Sequence, residues 1–173
     1  MPETLHSFQR CQVHKLRNVA EHVSESDRAR LKFRMRAAYA KAEAVDARNA
    51  LYQLHDELMR GNPSAADSLA EGLDETLTVL ELGVRSRLKR SSASTNIIES
   101  CFSTVERICT QVKRWQGGDH RLRWVGSALV FVETRWNRLH GYLQIPALMN
   151  ALEEAYYLRL REKNHLLRSH AVA

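Results

Sequence analysis

Apolar positions along the chain recur at helical spacing, and almost nothing alternates as a strand would. Residues 1–10 read as an irregular lead-in. Val13, Leu16, Val19 and Val23 then mark one face of a short helix that ends by Ser24-Glu25-Ser26. From Asp27 to about Arg60 the chain is rich in Ala, the best helix former. Leu31, Met35, Ala38, Ala42, Val45, Asn49, Tyr52 and Leu58 trace an approximate stripe there, with a break into two helices near Ala44-Val45-Asp46. Gly61-Asn62-Pro63-Ser64 is a turn signal. A helix over about 65–82 follows, with Leu69, Leu73, Leu77, Leu80 and Leu82 as core candidates, and Gly83 ends it. After a basic stretch, Ile98, Cys101 or Phe102, Val105, Ile108 or Cys109, Val112 and Trp115 form the clearest amphipathic stripe in the chain. Gln116-Gly117-Gly118-Asp119 predicts a turn. Arg121 to Leu139 is helical again, with Trp124, Ala128, Phe131, Val132 and Trp136 expected to be buried against the preceding helix. Gly141-Tyr142 breaks that pattern, and Pro146 suits the first turn of a final helix carrying Leu148, Leu152, Tyr156 and Leu160. Residues 164–173 read as a frayed tail.

The predicted class is therefore mainly α. At 173 residues, 44% of them hydrophobic and 27% charged, the chain suits one globular domain, or a small domain with an appendage, and not a disordered segment. Three cysteines argue against a disulfide framework and for a reducing, cytoplasmic setting. No secretory signal is visible in MPETLHSFQR, and no apolar run is long enough to predict a membrane span. Lys and Arg number 26 against 20 Asp and Glu, a net charge of +6, which permits contact with phosphates.

Three groups of residues carry candidate chemistry. Asn96 and Glu99 have the spacing of a capping box, which marks a helix start. Glu99 lies off the apolar stripe in the first turn, while Arg107, Lys113 and Arg114 make the later stretch basic. That arrangement suits either a metal-binding carboxylate beside a phosphate backbone or a plain helix cap. Cys11 and His14, spaced C-x-x-H, could supply two zinc ligands. No second pair follows at a suitable distance, so a packed structural pair is the competing reading. Arg85, Arg87, Lys89 and Arg90 place four positive charges in six residues. They would either neutralise DNA phosphates, independently of sequence and sensitively to salt, or form a solvated linker.

The string Ser94-Thr95-Asn96-Ile97-Ile98-Glu99-Ser100, then Val112-Lys113-Arg114-Trp115, Leu122-Arg123-Trp124 and Gly141-Tyr142, resembles the C-terminal part of mutator-type DDE transposases of bacterial insertion sequences. Cys11, His14 and Lys15 resemble that family's C-x-x-H-K string, and the resemblance runs from about Arg10 to Leu152. It implies that Glu99 is the third member of an Asp-Asp-Glu set binding Mg²⁺, with Thr95 and Asn96 as motif residues. It implies DNA strand cleavage and transfer by a two-metal mechanism, in which one ion activates the attacking oxygen and the other stabilises the leaving one. The implied fold is the helical insertion and C-terminal helices of an RNase H-like catalytic domain whose sheet is largely missing. Insertion-sequence ends are the implied DNA partner, with a homo-oligomer or the full-length transposase as protein partner and the nucleoid as location.

Both aspartates of the resembled family lie upstream of the C-x-x-H string. Here Asp27, Asp46, Asp56, Asp67 and Asp74 sit in helix-like surroundings and Asp119 in a turn, and none follows a β-branched run. The expectation is a chain that begins just past the second aspartate, is inactive alone and does not hold Mg²⁺ tightly with Glu99 as its only ligand. Ile98, Phe102 and Val105 would then pair with later helices or with another chain. The expected division is 1–24 as lead-in and short helix, 25–83 as helical insertion, 84–94 as basic linker, 95–162 as the Glu99 helix and C-terminal helices, and 163–173 as tail. A non-catalytic helical module that binds DNA or a transposase is the alternative, and a purely structural helical protein the third.

Overall fold

Several helices stop where a side chain or a glycine offers the backbone another arrangement. The computed structural model describes residues 7–170, so residues 1–6 of the predicted lead-in and 171–173 of the predicted tail lie outside it. All regular structure among the described residues is helical, and the class is mainly α. The chain divides into two units, Met1–Ser94 with Gly141–Ala173, and Thr95–His140.

The first unit starts with α1 (Gln12–Glu21), α2 (Glu25–Tyr39), α3 (Ala44–Gly61) and α4 (Pro63–Ala70). A 3₁₀ turn (Asp74–Thr76), α5 (Thr78–Glu81) and α6 (Ser86–Ser92) follow. After the second unit, a 3₁₀ turn (Tyr142–Gln144) leads into α9 (Ile145–His170). α1 packs on α2 and α4, and α3 on α2 and α4. Their shared core centres on Met35, Leu51, Leu69, Leu73 and Leu77, all essentially inaccessible. Burying each such side chain favours the fold by about 2 kcal/mol.

The break between α2 and α3 falls at residues 40–43, just before the predicted point, and no Gly or Pro causes it. Instead the Lys41 carbonyl accepts from the Lys89 ammonium at 2.8 Å, a tertiary contact that takes an acceptor out of the helical ladder. The break also resets the helical phase. Leu31, Met35, Ala38 and Tyr39 are buried on α2, and Ala47, Leu51 and Leu54 on α3. Ala42, Val45, Asn49 and Tyr52, which a single continuous stripe would bury, are exposed. At the next junction Asn62 caps α4, its side-chain oxygen accepting from Ala65 N–H at 3.1 Å with Pro63 in the first turn. The predicted single helix over 65–82 is divided at Gly72, whose φ of +60° an L side chain rarely adopts. Leu69, Leu73, Leu77 and Leu80 are buried as expected, while Leu82 is only half-buried.

Residues 84–94, read as a linker, contain α6. Arg87, Leu88, Lys89 and Arg90 are good helix formers, and Leu88, 1% exposed, anchors it. Gly141 comes so close to α6 that a Cβ there would lie 2.4 Å from the Leu88 amide nitrogen, at a φ of +84°. The Gly-Tyr landmark is thus a close approach of two backbones. Gly141→Ala is expected to cost about 3 kcal/mol or more, from left-handed strain and overlap together. Gly83→Ala, at φ +71° with nothing within 4 Å, should cost only about 1–2 kcal/mol. Chemical unfolding of both variants checks the difference, and equal losses would contradict the close-approach account. α9 continues to His170, through most of the stretch read as tail. Arg159 on α9 donates to Ser7 Oγ at 2.9 Å.

The second unit is α7 (Asn96–Cys109) packed on α8 (Gly118–Glu133). Its core is Val105, Ala128 and Val132, with Cys101, Ile108, Cys109, Val125 and Leu129 partly buried around them. Both helices end in the same way. Thr110 Oγ1 donates to Arg107 O at 2.8 Å, and Thr134 Oγ1 to Phe131 O at 2.7 Å, so each hydroxyl takes a carbonyl of the last turn. The predicted stripe from Ile98 to Trp115 therefore stops short, with Val112 and Trp115 in the connection. Expected burial also fails for three aromatics, since Trp124 is 40%, Phe131 46% and Trp136 60% exposed. Only Ala128 and Val132 turn inward to meet Val105.

Candidate functional site

Glu99 sits in the first turn of α7, with its side chain exposed. The N-cap position falls on Thr95 and not on Asn96, which begins the helix. In place of the predicted Asn96–Glu99 box, the Thr95 hydroxyl donates to Glu99 Oε1. A charge-assisted bond of that kind fixes the direction of the carboxylate. Ile98 and Phe102 flank it on α7, 54% and 55% exposed, and Val105 alone of that trio pairs with α8.

The basic residues expected beside Glu99 are placed differently from one another. Arg107 is in the last turn of α7, whereas Lys113 and Arg114 lie in the connection to α8 and not on a helix. That connection brings the two tryptophan landmarks together around His120. Trp115 meets the His120 ring edge-on at 5.6 Å between centroids, and Trp124 meets it at 6.4 Å. The Arg121 guanidinium lies 5.9 Å from the Trp115 ring centre, within cation–π range. His120 Nδ1 accepts the Gln116 backbone N–H at 3.2 Å.

In the first unit, Arg85, Lys89 and Arg90 line a cleft of about 690 Å³, and Arg87 does not. Arg85 pairs with Glu43 at 2.9 Å. Burial, and secondarily the Arg85 charge, lowers the Lys89 pKa from its ordinary 10.5. The cleft also gathers Arg36, from the end of α2, and Lys41, from the α2–α3 connection. Neither stands out in the sequence, because each lies more than forty residues from α6 and no linear run connects them.

Cys11 and His14 lie within the segment 9–15, whose neighbouring side chains clamp the turn at 68–79. Cys11 is buried at the N-cap of α1 and His14 is half-buried. Among the described residues, no group of three or more His, Cys, Asp or Glu side chains is placed to hold a metal ion. What residues 9–15 do is grip the turn at 68–79. Gln9 and Gln12 side chains both donate to Thr76 O, at 2.9 and 2.8 Å. Arg10 pairs with Glu71 and Glu75 at 3.1 Å each. Lys15, only 3% exposed, donates to the carbonyls of Ser68 and Glu71 at the C-terminal end of α4. In sequence, the only sign of this role is a lysine on the apolar face of a short helix.

Glu99 supplies one carboxylate, and the described residues add no partners that would complete a two-metal site, so they do not by themselves fit Mg²⁺. No helix among the described residues is long and apolar enough to cross a membrane.

A family model described as transposase, Mutator family, matches residues 2–138. Among curated proteins and among solved structures, none matches the chain.

Proposed function

Since the chain belongs to the Mutator family of transposases, we propose that it serves DNA transposition as the part of a DDE enzyme that carries the catalytic glutamate. Glu99 is that carboxylate, and Thr95 is the positioning residue that holds it. The carrying observation is the exposed, oriented Glu99 in the first turn of α7, inside the residues that the family model matches. The two aspartates belong to other residues of the complete enzyme, and this polypeptide alone is inactive. DNA, in the form of the element's ends, is the partner.

Exposed Arg87, Arg90, Arg107, Lys113 and Arg114 contact phosphates in this reading, and the contact is electrostatic. Binding of the polypeptide to a duplex should weaken steeply as salt rises. Arg87→Gln should reduce the slope of log affinity against log salt by about 1, with little dependence on sequence. Affinity that is flat in salt would contradict the reading. A second reading, a non-catalytic module that docks on an intact transposase, is favoured by the exposure of Ile98 and Phe102 on α7.

A further inference from the structure

Five cations converge on the cleft of the first unit, and among the described residues no carboxylate lines it. Arg85 and Lys89 are engaged, with Glu43 and with the Lys41 carbonyl. The guanidinium groups of Arg36 and Arg90 have no hydrogen-bond or ion-pair partner among the described residues. Unpaired cations facing one cavity, in a chain with abundant carboxylates, favour an anionic occupant. The floor has the opposite character: Val13, Leu16, Leu80 and Ala93 make it aliphatic, with the buried Tyr39 ring beside them.

The combination discriminates between DNA forms. A duplex backbone needs only the cations, because its bases are stacked inside and an apolar floor adds nothing to phosphate contacts. An unpaired nucleotide needs both, since its phosphate seeks charge and its base seeks a surface away from water. The cavity, about 690 Å³, is also of the size that encloses a small molecule and not a long trough for a helix.

We infer that this cleft binds an unpaired nucleotide of a DNA strand, its phosphate between Arg36 and Arg90 and its base on the aliphatic floor. This rests on the DNA-binding reading above and goes beyond it by assigning the strand state. Single-stranded DNA is then held by a specific cavity, and duplex DNA by the diffuse basic surface.

Fluorescence anisotropy on the whole polypeptide separates the two. The probes are a labelled single-stranded oligonucleotide of about eight residues, the corresponding duplex, and unlabelled dAMP as competitor, at one fixed salt concentration. Two folded variants are compared, with circular dichroism as the check. Arg36→Ala with Arg90→Ala removes the unpaired charges. Ala42→Trp keeps every charge and fills the cleft from an exposed lining position. Both variants should weaken single-strand binding by at least about tenfold, and Ala42→Trp should leave duplex binding unchanged. Native single-strand affinity in Ala42→Trp, or equal loss for both DNA forms in that variant, overturns the cleft and leaves the duplex reading standing. Competition by dAMP as effective as by the oligonucleotide assigns the cleft to a free nucleotide and overturns the strand. Binding of a glutamate-rich peptide with no binding of either DNA form overturns both readings.

Discussion

Lys15→Met is expected to lower the unfolding free energy by about 3 kcal/mol, the scale for losing two hydrogen bonds from a charged group. The Lys15 ammonium is buried on α1 and donates to the carbonyls of Ser68 and Glu71, which the end of α4 leaves without helical partners. Methionine keeps the apolar contacts of the lysine stem and removes the donor, so the loss measures the clamp and not a cavity. Arg10→Ala should cost less than about 1 kcal/mol, because its two ion pairs are substantially exposed and screened. Burial lowers the Lys15 pKa from 10.5, so the unfolded chain keeps that proton to higher pH than the folded one. This group's contribution to stability therefore rises as pH climbs through the interval between the lowered value and 10.5. Urea titrations of native and Lys15→Met protein across that interval check both points. A Met variant as stable as the native chain would contradict the clamp.

Glu99→Gln is expected to reduce strand cleavage by about 1,000-fold or more in a transposase complete with its aspartates, the scale for removing a group that acts as part of a catalytic unit. Glutamine keeps the size, the helix propensity and an oxygen that accepts from the Thr95 hydroxyl, and it removes the charge. Because the side chain is exposed, stability should stay within about 0.5 kcal/mol of native. Loss of activity with unchanged melting separates a chemical role from helix capping. Retained activity would take the chemical role away from Glu99.

Most helices were legible because their apolar faces repeat, and the turns at Gly61–Ser64 and Gly117 were legible from residue type. The errors share a cause. The α2–α3 break depends on Lys89 reaching Lys41, a contact across 48 positions, so no local pattern announces it. A single stripe carried across that break points Val45 and Tyr52 at the core, whereas the phase reset buries Ala47 and Leu51 instead. The endings of α7 and α8 depend on threonine hydroxyls at Thr110 and Thr134, which compete with the helix in a way that apolar periodicity does not register. At the site, the position of Glu99 was legible from its motif. Its tether was not, because Thr95 and Asn96 are both capable N-caps and only the backbone course selects one. The cationic cleft was half legible: α6 carries its run of charge in plain sequence, whereas Arg36 and Lys41 join it only through folding.

The claim that Glu99 is one carboxylate of a set completed by other residues is tested most directly by strand cleavage of element-end DNA in the presence of Mg²⁺. The polypeptide is assayed alone and then mixed with the aspartate-bearing segment of a Mutator-family transposase. No cleavage alone, and cleavage in the mixture that disappears with Glu99→Gln, is the predicted result. Cleavage by the polypeptide alone, or cleavage in the mixture that persists with Glu99→Gln, would contradict it.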